Sequence, residues 1–367
     1  MSEISFQLPV DMFIYQGAFI CLGLYHFFNT DQRDYQVSRG IIAVQVALAC
    51  LFFLTYSGFS ADAGVYQDYF EYYLFYPITE SVFLFKQFLF FGPGSILAER
   101  FYAPWPLKIL SALGILLFSL SLFQLFRGRN ERLLTLALAL MLLTPGVVYL
   151  FGNGIRQAYA CVWMFLGISE FFNRRWIRTA CFVILGIAFH ISSGIAMLAA
   201  LLIGLAPKTI LALGLVLSPL IGYCVFLIYG LDGPGGLHLN YQANSEGEFH
   251  WLRLAFSYGL AWLVLAHLKG KTAGIESRIL SIFVATVIVA SAFLVWEVPA
   301  SRILLQSDLF LPVVGAFFIQ RYHYLISSRP RMILLTSFVV IVAGWSFLTL
   351  PSTINTLGFW ESLIIYE

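Results

Sequence analysis

Apolar runs of about twenty residues follow one another along most of the chain, with short polar turns between them. Coiled into an α-helix, such a run matches the roughly 30 Å hydrocarbon core of a lipid bilayer. The pattern therefore predicts an all-α protein that crosses a membrane many times. The clear candidate spans are 12–28, 41–59, 107–126, 133–151, 157–172, 210–229, 251–268, 280–296, 303–320 and 332–350.

Charged residues are too scarce for a water-soluble protein. They make up 11% of the 367 residues, against roughly 25% in an ordinary soluble domain. This excludes a soluble enzyme, a disordered chain and a secreted disulfide scaffold, and a net charge of +2 gives no indication of a nucleic-acid partner. The five cysteines lie inside apolar runs without CxxC spacing, as small hydrophobic residues do. No Lys or Arg precedes the first apolar run, so we expect a retained helix rather than a signal peptide.

The distribution of basic residues predicts both the orientation and one helix break. Segment 179–207 fits either one long helix or two short ones that meet near 190–194. Only two short helices bring all the basic turns to one side, which by the positive-inside rule is cytoplasmic. We therefore predict about 11 to 12 transmembrane helices in one integral-membrane domain, 1–367, with both termini outside. The inward basic residues are Arg33, Arg39, Arg127, Arg129, Arg132, Arg174, Arg175, Arg178, Lys208, Lys269, Lys271, Arg278, Arg321, Arg329 and Arg331.

Two long connections fall on the outer face in this topology, and long loops commonly carry function. They are 60–106 and 230–250. Within the first, segment 81–91 is apolar and is followed by Gly92-Pro93-Gly94. These residues predict an interfacial or re-entrant helix on the outer leaflet that is broken at the glycines and proline.

Six basic residues remain outside the cytoplasmic set, and two of them are candidate phosphate ligands. Arg156 follows Gly152-Asn153-Gly154 just before a helix, where free backbone N–H groups and a guanidinium form a natural phosphate site. Arg302 ends an outer loop, 297–302, and either faces the same outer cavity or pairs with Asp308. The six are Lys86, Arg100, Lys108, Arg156, Arg253 and Arg302.

Two further groups of polar residues are candidates for an outer-face site. His190 lies in an apolar segment and is either a hydrogen-bonded core residue or a functional group at the predicted helix break. The first outer loop interleaves carboxylates with tyrosines, which suits either sugar binding or an aromatic belt at the interface. No motif spacing supports a metal site there. The loop residues are Asp62, Tyr66, Asp68, Tyr69, Glu71, Tyr72 and Tyr73.

These motifs together resemble the EpsG/Wzy-type polysaccharide polymerases, which are membrane glycosyltransferases with a GT-C-like helical architecture. The likeness begins with Asp62, Tyr66 and Tyr69 in the first outer loop. It continues through the motif 153–158, a helix, the basic turn 173–175, a second helix and 189–192, and it ends with Arg302 ten residues before Pro312.

The resemblance implies an O-antigen or related polysaccharide polymerase. Such an enzyme joins undecaprenyl-pyrophosphate-linked repeat units on the periplasmic face of the bacterial inner membrane by inverting glycosyl transfer. Its partners would be the lipid-linked glycan, the bilayer and a chain-length regulator protein, and no cofactor or metal is required. Arg156 with Arg302 would hold the pyrophosphate, and either His190 or Asp62 would be the base. The substrate-binding residues would also include Asn153, Gln157, Tyr66, Tyr69 and Glu71.

Other functions stay open on the same residues. A glycan–lipid ligase of related architecture would use a different acceptor. A transporter or flippase of the lipid-linked oligosaccharide should contain paired broken helices in corresponding halves. A membrane acyltransferase would fit the membrane histidine, but no acyl-transfer motif accompanies it.

Overall fold

The structure, a computed structural model, consists of helices and connections throughout the part of the chain that it describes. No strand occurs in that part. The predicted span 332–350, most of 12–28, and the candidate residues Asp62, Glu71 and Asn153 lie outside it. The described residues are 17–18, 21–25, 35–55, 65–70, 84–126, 131–152, 154–229, 248–268, 274–294 and 297–326.

Thirteen of the helices in these ranges are long enough to label in chain order. The first five are α1 (Tyr35–Thr55), α2 (Leu84–Arg100), α3 (Trp105–Phe126), α4 (Glu131–Met141) and α5 (Pro145–Gly152). The next four are α6 (Ile155–Phe172), α7 (Trp176–Phe189), α8 (Ile191–Gly204) and α9 (Lys208–Tyr229). The last four are α10 (Glu248–Leu268), α11 (Ile275–Ala292), α12 (Glu297–Asp308) and α13 (Leu311–Ile326).

The prediction of an all-helical multi-pass membrane protein is confirmed. Four described segments are long and apolar enough to cross a membrane, and a fifth is added when the bent pair α4–α5 is counted as one span. The predicted total of about 11 to 12 spans includes segments outside the described residues and stays a prediction. The four segments are Trp105–Phe126, Lys208–Ile228, Ile275–Ala292 and Arg302–Arg321.

The helices pack around α11, which touches α8, α9, α10 and α12. Nearly all of its side chains are buried. A second group forms where α6 packs along α7 and against α3, while α13 packs on α4. The outermost helix α9 instead exposes large apolar side chains such as Ile210, Leu213 and Leu220, as a lipid-facing helix does.

The helix break predicted within 179–207 is confirmed. Helix α7 ends at Phe189, α8 begins at Ile191, and His190 alone lies between them with an extended backbone. The two helices approach closely beside this residue, because a Cβ at Gly194 would lie 2.6 Å from Cα of Ile187. Glycine is required for that approach.

The prediction of one uninterrupted span over 133–151 is wrong. Helix α4 ends at Met141 and α5 begins at Pro145, and the two axes differ by 69°. Proline has no N–H for the hydrogen bond to the preceding turn, so it starts a helix more readily than it continues one. The new helix also lies against α12, because a Cβ at Gly146 would lie 2.6 Å from Cβ of Asp308 and closer still to its carboxylate.

The break expected at Gly92-Pro93-Gly94 is also wrong. Helix α2 runs without interruption from Leu84 to Arg100 with Pro93 inside it. Gly94 lies directly beneath the ring of Phe70, and Phe90 and Phe91 are fully buried beside it. Burial of these aromatic rings outweighs the backbone hydrogen bond that Pro93 removes.

Residues 297–302, predicted as an outer loop, form the first half of α12 instead. Pro299 lies in the first turn of that helix, where its missing N–H has no intrahelical partner to lose. Arg302 therefore projects from the middle of a helix, and a regular turn rather than a loop sets its position.

Candidate functional site

Arg156 lies in the first turn of α6, whereas the sequence placed it just before the helix. Gly154 is the N-cap of this helix and supplies no side-chain hydrogen bond to the first N–H groups. The first turn of a helix has backbone donors that need outside partners, and the helix dipole makes that end favourable for an anion. The start of α6 thus combines a helix N-terminus with a guanidinium.

The guanidinium of Arg156 rests on an aromatic ring. Its Cζ lies 5.7 Å from the centroid of Phe91, a cation–π contact that fixes the side chain without neutralising its charge. Nε of Arg156 is buried and has no hydrogen-bond partner among the residues that the structure describes. A buried guanidinium nitrogen without an acceptor is uncommon, because desolvation costs free energy that a partner normally recovers. An anionic ligand would supply that acceptor.

The backbone at His190 is held beside α6 because the preceding residue, Phe189, stacks on a ring of that helix. Tyr159 of α6 stacks on Phe189 with centroids 5.4 Å apart and an interplanar angle of 9°. The hydroxyl of Tyr159 donates to the carbonyl of Leu110 on α3 at 2.9 Å, which fixes this ring in turn. The histidine that follows Phe189 is thereby kept at the start of α8 and close to the first turn of α6.

The same histidine lies in a positive environment. Burial lowers the pKa of His190 well below its ordinary value, and the positive charges of Arg156 and Arg302 lower it further. His190 belongs to the connection between α7 and α8 and lies outside the four candidate spans. The three residues predicted as the core of the site therefore come together from three different parts of the chain.

Gln157 connects the two arginine-bearing helices. Its Nε2 donates to the backbone carbonyl of Arg302 at 2.6 Å, so α6 and α12 are fixed to each other beside the site. The side chain is buried, and a buried amide contributes most when its donor is paired. The sequence predicted Gln157 as a substrate ligand, whereas in the structure its amide bonds to the protein.

Replacing Gln157 with leucine should lower the free energy of unfolding by about 1 kcal/mol, because this hydrogen bond is lost while the volume is retained. Thermal unfolding of the detergent-solubilised protein measures the change. Gln306→Leu is the matched control, since Oε1 of Gln306 is buried without a partner among the described residues and no hydrogen bond to that atom is lost. Equal midpoints for the Gln157 variant and the wild type would contradict the assignment.

Tyr66 and Tyr69, the predicted sugar-binding tyrosines, both contact Phe91, the ring that lies against the guanidinium of Arg156. The ring of Tyr69 lies 5.1 Å from that of Phe91, and Tyr66 lies 5.2 Å from Phe90 and 6.1 Å from Phe91. The ring of Phe91, which lies against the guanidinium of Arg156, therefore also contacts two tyrosines of the first outer loop. Tyr69 is 41% exposed, so part of this aromatic cluster is accessible to solvent.

Phe91 is a site residue that sequence reasoning missed. It is one of 36 phenylalanines, and nothing in its local pattern distinguishes it from the others. The only signal was its position directly before Gly92-Pro93-Gly94, which was interpreted as a helix break. Its role depends on contacts with residues 22 and 65 positions away in sequence, and only the fold brings these together.

A second charged cluster marks the opposite end of α6. Glu170 is buried, accepts a hydrogen bond from Gln124, and lies 3.5 Å from Nη1 of Arg175 and 4.0 Å from Nη1 of Arg178. Glu170 lies 14 residues after Arg156 on α6, so about 21 Å of helix separate this cluster from Arg156. The described residues contain no group of three His, Cys, Asp or Glu side chains able to hold a metal ion.

The chain matches a known protein family over most of its length. The family model described as "EpsG family" matches residues 43–366 of the chain. No curated protein and no solved structure matches it.

Proposed function

The chain belongs to the EpsG family, and on this basis we propose that it polymerises a bacterial polysaccharide from lipid-linked repeat units. It is a membrane protein of a family linked to polysaccharide biosynthesis. The proposed donor is a glycan on undecaprenyl pyrophosphate, and the acceptor is a second lipid-linked repeat. The reaction would take place at the periplasmic face of the inner membrane.

One observation carries the proposal: an unsatisfied arginine at a helix start, with a second arginine and a histidine beside it. Arg156 presents a buried Nε without a described acceptor, and its charge and that of Arg302 both act on His190. Two guanidinium groups and the first turn of a helix suit the two phosphates of a pyrophosphate. Tyr69 packs against Phe91, the ring that contacts Arg156, and the sugar attached to that pyrophosphate would stack on this tyrosine.

The chemistry follows from these groups. The acceptor hydroxyl oxygen bonds to the anomeric carbon as the bond from that carbon to the phosphate oxygen breaks. The leaving pyrophosphate takes the electron pair, and its growing negative charge is stabilised by Arg156 and Arg302. The proton of the acceptor hydroxyl goes to a base, for which the sequence offers His190 or Asp62. The configuration at the anomeric carbon inverts.

Cells that lack the protein should accumulate single repeat units on the carrier lipid in place of a ladder of chain lengths. Gel analysis of the extracted glycan measures the profile, and expression of the wild-type chain should restore the ladder. A ligase would instead leave long chains on the carrier lipid. Intact long chains on their final acceptor would contradict both proposals.

One structural feature favours a second candidate, a transporter of the lipid-linked oligosaccharide. The helix break between α4 and α5 touches the end of α12, where Asp308 meets Gly146 just before the turn into α13. A broken helix of this kind is one half of the paired arrangement that forms the substrate sites of many transporters.

Proteoliposomes containing the purified protein distinguish the two functions. A polymerase should lengthen a fluorescent lipid-linked repeat that is supplied on both leaflets, with no change in its distribution between them. A transporter should move the fluorescent lipid to the opposite leaflet without lengthening the glycan.

A further inference from the structure

His190 is one of the two candidate bases, and the hydrogen bonds around its ring restrict what it can do. We propose that His190 donates a hydrogen bond from Nε2–H to the departing phosphate and does not act as the base. This inference rests on the proposed function, because it assigns one role within that reaction.

The position of the imidazole proton follows from the start of α8. His190 is the N-cap of that helix, and its Nδ1 accepts the backbone N–H of Ser193 at 3.3 Å. The hydroxyl oxygen of Ser193 also lies 2.8 Å from Nδ1. A backbone N–H can only donate, so Nδ1 must be the unprotonated nitrogen. A neutral imidazole then carries its proton on Nε2.

If His190 acted as the base, its neutral ring would have to carry the proton on Nδ1 instead of Nε2. To take a proton on Nε2, the neutral ring must hold its own proton on Nδ1; the Ser193 hydroxyl could accept that proton, but the backbone N–H of Ser193 would then face a donor. Two donors facing each other repel, and the N-cap of α8 would be lost. The tautomer that can accept at Nε2 is therefore the one that the fold disfavours.

The positive charges of Arg156 and Arg302 also disfavour His190 as the base. A histidine that takes the acceptor proton becomes an imidazolium, which would be a third positive charge beside Arg156 and Arg302. The pKa of His190 is lowered by burial and by these two arginines. A neutral donor avoids that repulsion and adds a hydrogen bond to the same phosphate that the arginines hold. The acceptor proton then passes to a carboxylate, for which Asp62 is the sequence candidate.

Two replacements of His190 separate the donor role from the capping role. The amide nitrogen of glutamine reaches the position of Nε2, so His190→Gln keeps the donor and loses the cap. The amide oxygen of asparagine reaches the position of Nδ1, so His190→Asn keeps the cap and loses the donor. We expect the rate of chain extension to fall less than about 10-fold for glutamine and about 10²- to 10³-fold for asparagine.

The tautomer itself can be measured without turnover. Nitrogen-15 NMR of the histidine-labelled protein, with His190→Gln as the subtraction control, should show Nε2 protonated and Nδ1 unprotonated between pH 6 and 8. A proton on Nδ1, or equal losses of rate for the glutamine and asparagine variants, would overturn the inference. A wild-type protein that shows the expected tautomer but extends no chain would instead overturn the proposed function, and with it the role at the phosphate.

Discussion

Replacing Arg156 with alanine should reduce the rate of chain extension by about 10²- to 10³-fold and leave the protein folded. Nε of Arg156 is buried without a described acceptor, so the folded protein loses no hydrogen bond to that atom on truncation. The loss appears when negative charge develops on the leaving pyrophosphate, because one guanidinium is then missing from its surroundings. Purified protein in nanodiscs, supplied with lipid-linked repeat units, gives the rate from the glycan length distribution.

Two companion variants make the Arg156 result specific. Arg156→Lys keeps the charge but loses the planar pair of donors, and we expect an intermediate rate because lysine binds phosphate as a point charge. Arg321→Ala removes an exposed arginine at the far end of the segment that carries Arg302, and its rate should match the wild type. Equal rates for Arg156→Ala and Arg321→Ala, with both variants folded, would rule out the assigned site.

Replacing Gly146 with alanine should lower the free energy of unfolding by about 3 kcal/mol. A Cβ at this position would lie 2.6 Å from Cβ of Asp308 and closer to its carboxylate, so α5 and α12 would have to separate. The carboxylate is buried and cannot turn into solvent to relieve the overlap. The fraction of protein that stays monodisperse after heating in detergent reports the loss.

The effect of Gly146→Ala should extend to activity. Helix α5 leads directly into the turn before Arg156, and α12 carries Arg302, so separating these helices moves the two arginines apart. Gly259→Ala is the matched control, because a Cβ at Gly259 meets nothing within 4 Å and alanine favours the helix. Equal stability of the two variants would show that the described contact between α5 and α12 is not close.

The helices and the break at His190 could be predicted from sequence because the bilayer restricts which segments can cross it. Apolar runs identify helices because every backbone group in lipid must be paired within its own segment. The break at His190 follows from charge alone, since one long helix over 179–207 would divide the basic turns between the two faces. Arg156 was recognised for a local reason as well, because the glycines before it mark a helix start.

The remaining features depend on contacts between distant segments. Pro145 breaks the predicted span 133–151, whereas Pro93 does not break α2, although both prolines lie next to glycine. The difference is that the ring of Phe70 covers Gly94, while Asp308 of α12 meets Gly146. Local sequence cannot distinguish these cases, because the deciding partner lies 24 residues away in one and 162 in the other.

The single-residue connection at His190 has a consequence for the surrounding lipid. Helices α7 and α8 have 14 residues each, so each is about 21 Å long and roughly 9 Å shorter than the hydrocarbon core of a bilayer. A membrane-embedded hairpin of two such helices would create a hydrophobic mismatch, which thinning of the bilayer beside it would relieve. Thinning on the side of His190 would lower the headgroup plane toward the arginines. A pyrophosphate anchored by a long isoprenoid tail could then reach them without leaving its leaflet.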